Sequence, residues 1–149
     1  MTFSIVASIP ATKELCVATT TCLVAVGDIV PMIIPNVGSI AVQAKVKPSN
    51  RLKVLELMKN GYSTKSAINK VLKNDKLKEY RQIIAINHEG NGHVFSGTKT
   101  INISNYFIGK NFVIAGNMLA SKSVVSSMVT SFKKNNEIFL PKRCLMSLL

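Results

Sequence analysis

Residues 3–20 read FSIVASIPATKELCVATT, and the interpretation of the remaining chain depends on this stretch. Phe3–Ser8 and Leu15–Thr20 carry Ile, Val and Thr among small residues, a composition that suits a pleated, half-buried surface. Ile9-Pro10-Ala11-Thr12-Lys13-Glu14 between them is a connection of hairpin length, punctuated by Pro10. The chain therefore opens with an antiparallel hairpin. Ser39–Ala44 reads as a third strand after a loop over 31–38 that contains Pro, Gly and Asn, so a small antiparallel sheet starts at the N-terminus itself.

Two helices are expected next. Leu52, Val54, Leu55, Leu57 and Met58 form an apolar stripe at helical spacing, and Asn60-Gly61 supplies the stop. Ser63 or Thr64 caps the second helix, whose inner face is Ala67, Ile68, Val71 and Leu72. Gln82–Asn87 and His93–Ser96 flank His88-Glu89-Gly90-Asn91-Gly92, a hairpin turn in which glycines take left-handed conformations, and a second sheet is expected to begin there. Ile101–Ile103 is a short strand. Asn111–Ala115 is a clearer one, ending at Gly116-Asn117. Ser121 or Ser123 then caps a helix with Val124, Val125, Met128, Val129 and Phe132 on one side and Lys133-Lys134 at its end, where cations suit the helix dipole. Pro141 opens a last helical segment. Strands, a helix pair, strands and a helix, in that order, describe an α+β domain with helices covering a sheet-on-sheet core.

Composition bounds the function. A chain of 149 residues is the size of one domain, and with 47% apolar residues and a mean hydropathy of +0.25 it has too much to bury to remain disordered. The apolar run Cys22–Val42 is broken by Asp28, Pro31, Pro35 and Gly38, which excludes a membrane helix. The N-terminus has no Lys or Arg ahead of its apolar residues, which argues against a secretory signal and for the cytoplasm. Cys16, Cys22 and Cys144 make no Cys-x-x-Cys pair and no even disulfide set, and read as small buried hydrophobes in a reducing compartment. The net charge is +12, and residues 45–81 alone carry eleven basic side chains against three acidic ones. Only Tyr62 and Tyr80 of the nine aromatics lie there, so the pattern reads as solvated helix faces and not as a nucleic-acid stacking platform; binding of a polyanion through charge alone stays as an alternative. His88 and His93 lack acidic or cysteine partners at ligand spacing, so no metal site and no cofactor is expected.

Several blocks resemble one known family. Met1-Thr2-Phe3-Ser4-Ile5-Val6-Ala7, Ala25-Val26-Gly27-Asp28-Ile29-Val30-Pro31, Asn36-Val37-Gly38-Ser39-Ile40-Ala41-Val42-Gln43-Ala44 and Leu55-Glu56-Leu57-Met58-Lys59-Asn60-Gly61 occur in order. Arg81-Gln82 with Ile-Ile-Ala-Ile, then Phe95-Ser96-Gly97 and Gly116-Asn117-Met118-Leu119 follow. In this order and spacing they resemble the bacterial family called domain of unknown function 1028. The resemblance implies a single domain over residues 1–149 with an N-terminal-nucleophile-type α-β-β-α four-layer sandwich of mainly antiparallel sheets. It also implies an amidohydrolase-like reaction on an unknown small molecule. Relatives continue into a further strand where this chain ends at Leu149, so the edge is expected to be open or filled by a second copy.

The same resemblance points to site residues. In such a fold Thr2, freed of Met1, would be nucleophile and base at once, its α-amine taking the hydroxyl proton; on the residues alone it is an ordinary strand start. Asn117 is a candidate oxyanion donor or a turn and pre-helix cap. Gln43 is a substrate-binding candidate or a group satisfied by neighbouring backbone, and Ser96 keeps a hydroxyl where relatives have Thr. Arg81-Gln82 could hold a substrate carboxylate bidentately or simply cap Asp75 or Glu79, and the structural role is preferred. Asn105-Tyr106 stands where relatives carry Gly-His, and Val42 where they carry Thr. A non-catalytic relative that keeps the fold as a binding module is the competing expectation.

Overall fold

The computed structural model describes residues 1–149. Eight strands and five helices follow in chain order: β1 Thr2–Ile9, β2 Glu14–Thr21, α1 Val26–Ile29, β3 Pro31–Ile34, β4 Gly38–Ala44, α2 Ser49–Lys59, α3 Thr64–Leu72. After a 3-10 turn at Lys78–Tyr80 come β5 Arg81–Asn87, β6 Gly92–Ser96, β7 Ile103–Gly109, β8 Phe112–Leu119, α4 Ser123–Lys134 and α5 Leu140–Met146. They form two four-stranded antiparallel sheets, ordered β2-β1-β8-β7 and β3-β4-β5-β6. No helix is long and apolar enough to cross a membrane.

Alternation along the strands determines the layering, because successive side chains leave a strand on opposite faces. On β1 and β8, Ile5, Ala7, Phe112 and Ile114 pack against Val125, Met128 and Phe132 of α4 and Leu140 and Cys144 of α5. Ile40, Val42, Ile83 and Ala85 of the other sheet pack against α2 and α3. The intervening residues Val6, Ala41, Ile84, Ile86, Val113 and Ala115 meet between the sheets. The result is helix, sheet, sheet, helix.

The opening hairpin forms as expected: Lys13 takes φ 58° and Thr12 N–H donates to Ile9 O (3.2 Å). The third strand does not join it. β4 pairs with β5 from Gly38↔Asn87 to Ala44↔Arg81, while the free edge of β1 is taken by β8. The sheet that was expected to begin at Gln82 is therefore the one that β3 and β4 begin, and sheet one is built from both ends of the chain. The expected loop 31–38 contains a strand, β3, whose edge position tolerates Pro31. The strand expected over Ile101–Ile103 is displaced: exposed Ile101 and left-handed Asn102 (φ 58°) lie outside it, and β7 runs from Ile103 to Gly109. β8 continues through Gly116 and Asn117 to Leu119, so Asn117 lies within a strand and is neither a turn residue nor a cap.

Helix signals fared better at their ends than on their faces. Asn60 and Gly61 (φ 87°) stop α2, and Ser63 caps α3 by accepting from Ser66 N–H (3.2 Å). Leu52, however, is 45% exposed, since Asn50, Arg51, Val54, Leu55 and Met58 form the inner face. The turn after β5 needs one left-handed glycine, Gly90 (φ 87°); Gly92 already belongs to β6. Lys122 precedes α4 without a side-chain cap, although Lys133 and Lys134 do end it. Cys16 and Cys144 are buried as read, but Cys22 is exposed.

Candidate active site

The polar residues that interrupt the inward faces of the strands converge at one end of the space between the sheets. Constant register places Thr2 directly opposite Thr21 on β2 and Asn117 on β8. Ser8 N–H donates to Asn111 O (2.9 Å), and stepping by two residues along this regular ladder makes Thr2 and Asn117 a mutually hydrogen-bonded pair. Their side chains thus leave the same face of the sheet. Thr2 is 7% exposed.

Hydroxyl bookkeeping fixes the proton directions. Thr21 Oγ1 donates to Met1 O (3.1 Å), which uses its only hydrogen, so Thr2 Oγ1 is the donor to Thr21 Oγ1 at 2.9 Å. Next inward, Ser4 Oγ donates to Gln43 Oε1 (2.6 Å) and also touches Thr19 Oγ1. Gln43 Nε2 crosses the interior to Gln82 Oε1 (2.7 Å) and Ala115 O (3.1 Å). Gln82 Nε2 donates to Ser96 Oγ and Gly116 O, both at 3.1 Å, and its Oε1 also accepts from Asn117 Nδ2 at 3.2 Å. Ser4, Gln43, Gln82 and Asn117 are all fully buried. One atom of this network has no partner: Asn117 Oδ1. One of the two Asn117 Nδ2 hydrogens is likewise left over after the bond to Gln82.

Of the residues expected from sequence, Thr2, Gln43, Ser96 and Asn117 belong to this one cluster, Ser96 through Gln82. Arg81 does not. It leaves β5 on the helix side, where Nε and Nη2 grip the two oxygens of Asp75 (2.7 and 3.1 Å) and Nη1 reaches Lys45 O. Asn50 Nδ2 (3.4 Å) and Leu77 N–H (3.0 Å) complete the shell, and the Arg81 guanidinium holds the Asp75 carboxyl down to about 2. Arg81 is thus 4% exposed and structural, as is Arg51, which ties α2 to Pro31 O (2.9 Å); neither belongs to a solvated basic face. Gln82, read from sequence only beside Arg81, is at the centre of the network, and Ser4 and Thr21 are members that sequence reasoning passed over. The available signal was parity: Ser4 lies two residues from Val6 and Thr21 four residues from Val17, polar side chains on a strand face whose neighbours point inward and are apolar.

Tyr106, at the place where the resemblance implies His, sits opposite Ala115 on β8, two residues before Asn117 on the same strand face. It is half exposed.

Comparison with known proteins supplies a family. The profile described as "Family of unknown function (DUF1028)" matches residues 2–149. The crystal structure of protein SPO2555 from Silicibacter pomeroyi, described with the same family, superposes with a TM-score of 0.93 at 30% identity. The match covers 99% of this chain and 65% of that one, so this chain spans somewhat less than two thirds of the length of that protein. No protein with a curated description matches. On a profile match over almost every residue, the chain belongs to the DUF1028 family, whose function is unknown.

Proposed function

We propose that the protein is an N-terminal-nucleophile-type amidohydrolase in which Thr2, once Met1 is removed, attacks an amide or related C–N bond. The observation that carries this reading is the pairing of Thr2 with Asn117, whose buried Oδ1 and second Nδ2 hydrogen are unspent. Loss of Met1 takes away the carbonyl that holds the Thr21 hydrogen and leaves Thr2 with a free α-amine, ordinarily of pKa ~7.7–8.0 and therefore a base near neutrality.

In the reaction, Thr2 Oγ bonds to the substrate carbonyl carbon while its proton passes to the Thr2 α-amine. The Asn117 Nδ2 hydrogen meets the oxyanion, and Asn117 Oδ1 accepts from the α-ammonium. The C–N bond breaks as the ammonium proton moves to the leaving nitrogen. Water then cleaves the acyl ester by the same route in reverse. Gln43 and Ser96 do not bind substrate directly in this scheme; they hold Gln82, and Gln82 holds Asn117.

Intact mass separates catalysis from its competitor, a non-catalytic relative. Loss of one methionine, followed by covalent labelling with an electrophilic amide probe that Thr2→Ala abolishes, is the expected result. Quantitative retention of Met1, or labelling unchanged in Thr2→Ala, would overturn the proposal.

A further inference from the structure

A second site lies at the other end of the second sheet. Three turns converge there: β3–β4, α2–α3 and β5–β6. They enclose a cleft of about 660 Å³, within the range of small-ligand sites. Only three of its thirteen lining residues are hydrophobic, yet polar and apolar atoms share its surface about equally, which suits a ligand that carries both hydrogen-bonding groups and C–H faces. Val37, just before β4, and Gln43 near its far end are six residue steps apart, roughly 20 Å at ~3.3 Å each. The cleft is therefore distinct from the Thr2 cluster and does not depend on the reading of that cluster.

The lining indicates which chemistry fits. Glu89 Oε2 is held by Asn87 Nδ2 (3.2 Å) and Asn91 Nδ2 (3.3 Å), which orients the carboxylate and leaves Oε1 free. Asn91 is itself fixed, its N–H donating to Asn87 Oδ1 (2.8 Å) and its carbonyl accepting from Thr64 Oγ1 (2.8 Å). Asn36 contributes a further amide from a left-handed turn position (φ 60°). His88 lines the cleft and has a buried Nδ1 with no partner. Tyr62 adds a ring, one face of which is covered by Lys70 Nζ at 4.3 Å from the centroid. Lys59 and Glu89 balance in charge, so despite the net +12 of the chain this lining does not select an anion. Planar amides and a carboxylate give paired donors and acceptors suited to adjacent hydroxyls, and an aromatic ring suits the C–H face of a sugar.

We propose that this cleft binds a neutral saccharide of one or two rings, with Glu89 and Asn36 on its hydroxyls and the uncovered face of Tyr62 against the ring. The test is amide chemical-shift titration of the full chain with N-acetylglucosamine, maltose and cellobiose in millimolar excess, and separately with inorganic phosphate at matched ionic strength. Saturable shifts at Asn36, Ser63, Glu89 and Asn91 with at least one saccharide are expected, and Glu89→Ala should weaken that binding about tenfold. Glu89 is exposed, and unchanged amide positions elsewhere in the variant report that it still folds. Absence of saturation with all three sugars, binding unchanged in Glu89→Ala, a stronger response of the same amides to phosphate, or shifts centred on Thr2 and Gln43 would each overturn it.

Discussion

Replacing Gln82 by Leu tests whether the buried network is organised as described. Gln82 is wholly buried and makes four hydrogen bonds. Its partners fare differently when it goes. Gln43 Nε2 keeps Ala115 O, and Ser96, which is partly exposed, reaches water. Asn117 keeps nothing: its Oδ1 is already unpaired and its only side-chain bond is to Gln82. The cost is thus dominated by one buried amide stripped of its last partner, about 2–4 kcal/mol, and Leu offsets little of it because the site was packed already. Asn117→Ala alone removes one of two bonds to Gln82 Oε1 and should cost about 1 kcal/mol. The double variant removes the stranded amide itself, so it should be more stable than the sum of the singles by at least ~1 kcal/mol. Urea unfolding, read as midpoint shifts at constant slope, measures all three. A Gln82→Leu cost below ~1 kcal/mol, or strict additivity in the double variant, would refute the claim that Gln82 is what holds Asn117.

Three further outcomes concern the frame around the site. Asp75 has its carboxyl at about 2 in the folded chain against an ordinary 3.8, so its contribution is complete above about pH 4 and is lost as pH falls towards 2; Asp75→Asn should flatten that part of a urea-midpoint profile. Arg81→Met removes the two guanidinium bonds but leaves Asp75 with Asn50, Leu77 N–H and Lys47 Nζ (3.9 Å), so it should cost about 1.5–3 kcal/mol at neutral pH by the same assay. A methyl at Gly97 would run into the backbone carbonyl of Glu79, so Gly97→Ala should cost about 1–3 kcal/mol in thermal or urea unfolding.

Local features of the fold were legible in the sequence, and long-range ones were not. Asn60-Gly61 and Ser63 announced helix ends because stopping and capping are decided within a few residues. The assignment of β4 to the second sheet could not be read this way, since it depends on β8 reaching the edge of β1 from the far end of the chain. β7 was hidden by its Ser-Asn-Tyr-Phe-Ile-Gly composition: it is an edge strand whose Tyr106 and Ile108 remain half exposed, so burial imposes no clean alternation. At the site, Thr2, Gln43 and Asn117 drew notice one at a time. Their meeting is a matter of register, which only pairing reveals. Arg81 and Gln82, adjacent in sequence, were considered together and then separated by the pleat onto opposite faces of β5.

The division of strands between the sheets also sets an order of events during synthesis. The second sheet uses β3 to β6 consecutively and can close as soon as β6 has been made, whereas β1 gains its second neighbour only when β8 emerges. At a translation rate of ~5–20 residues per second, that delay from Thr2 to Phe112 is on the order of 5–20 s. Throughout it one long edge of β1 stays unpaired, an open template for another strand, and β8 then covers it. The chain order of the strands thus leaves the opening hairpin with a bare edge until the last strand is made.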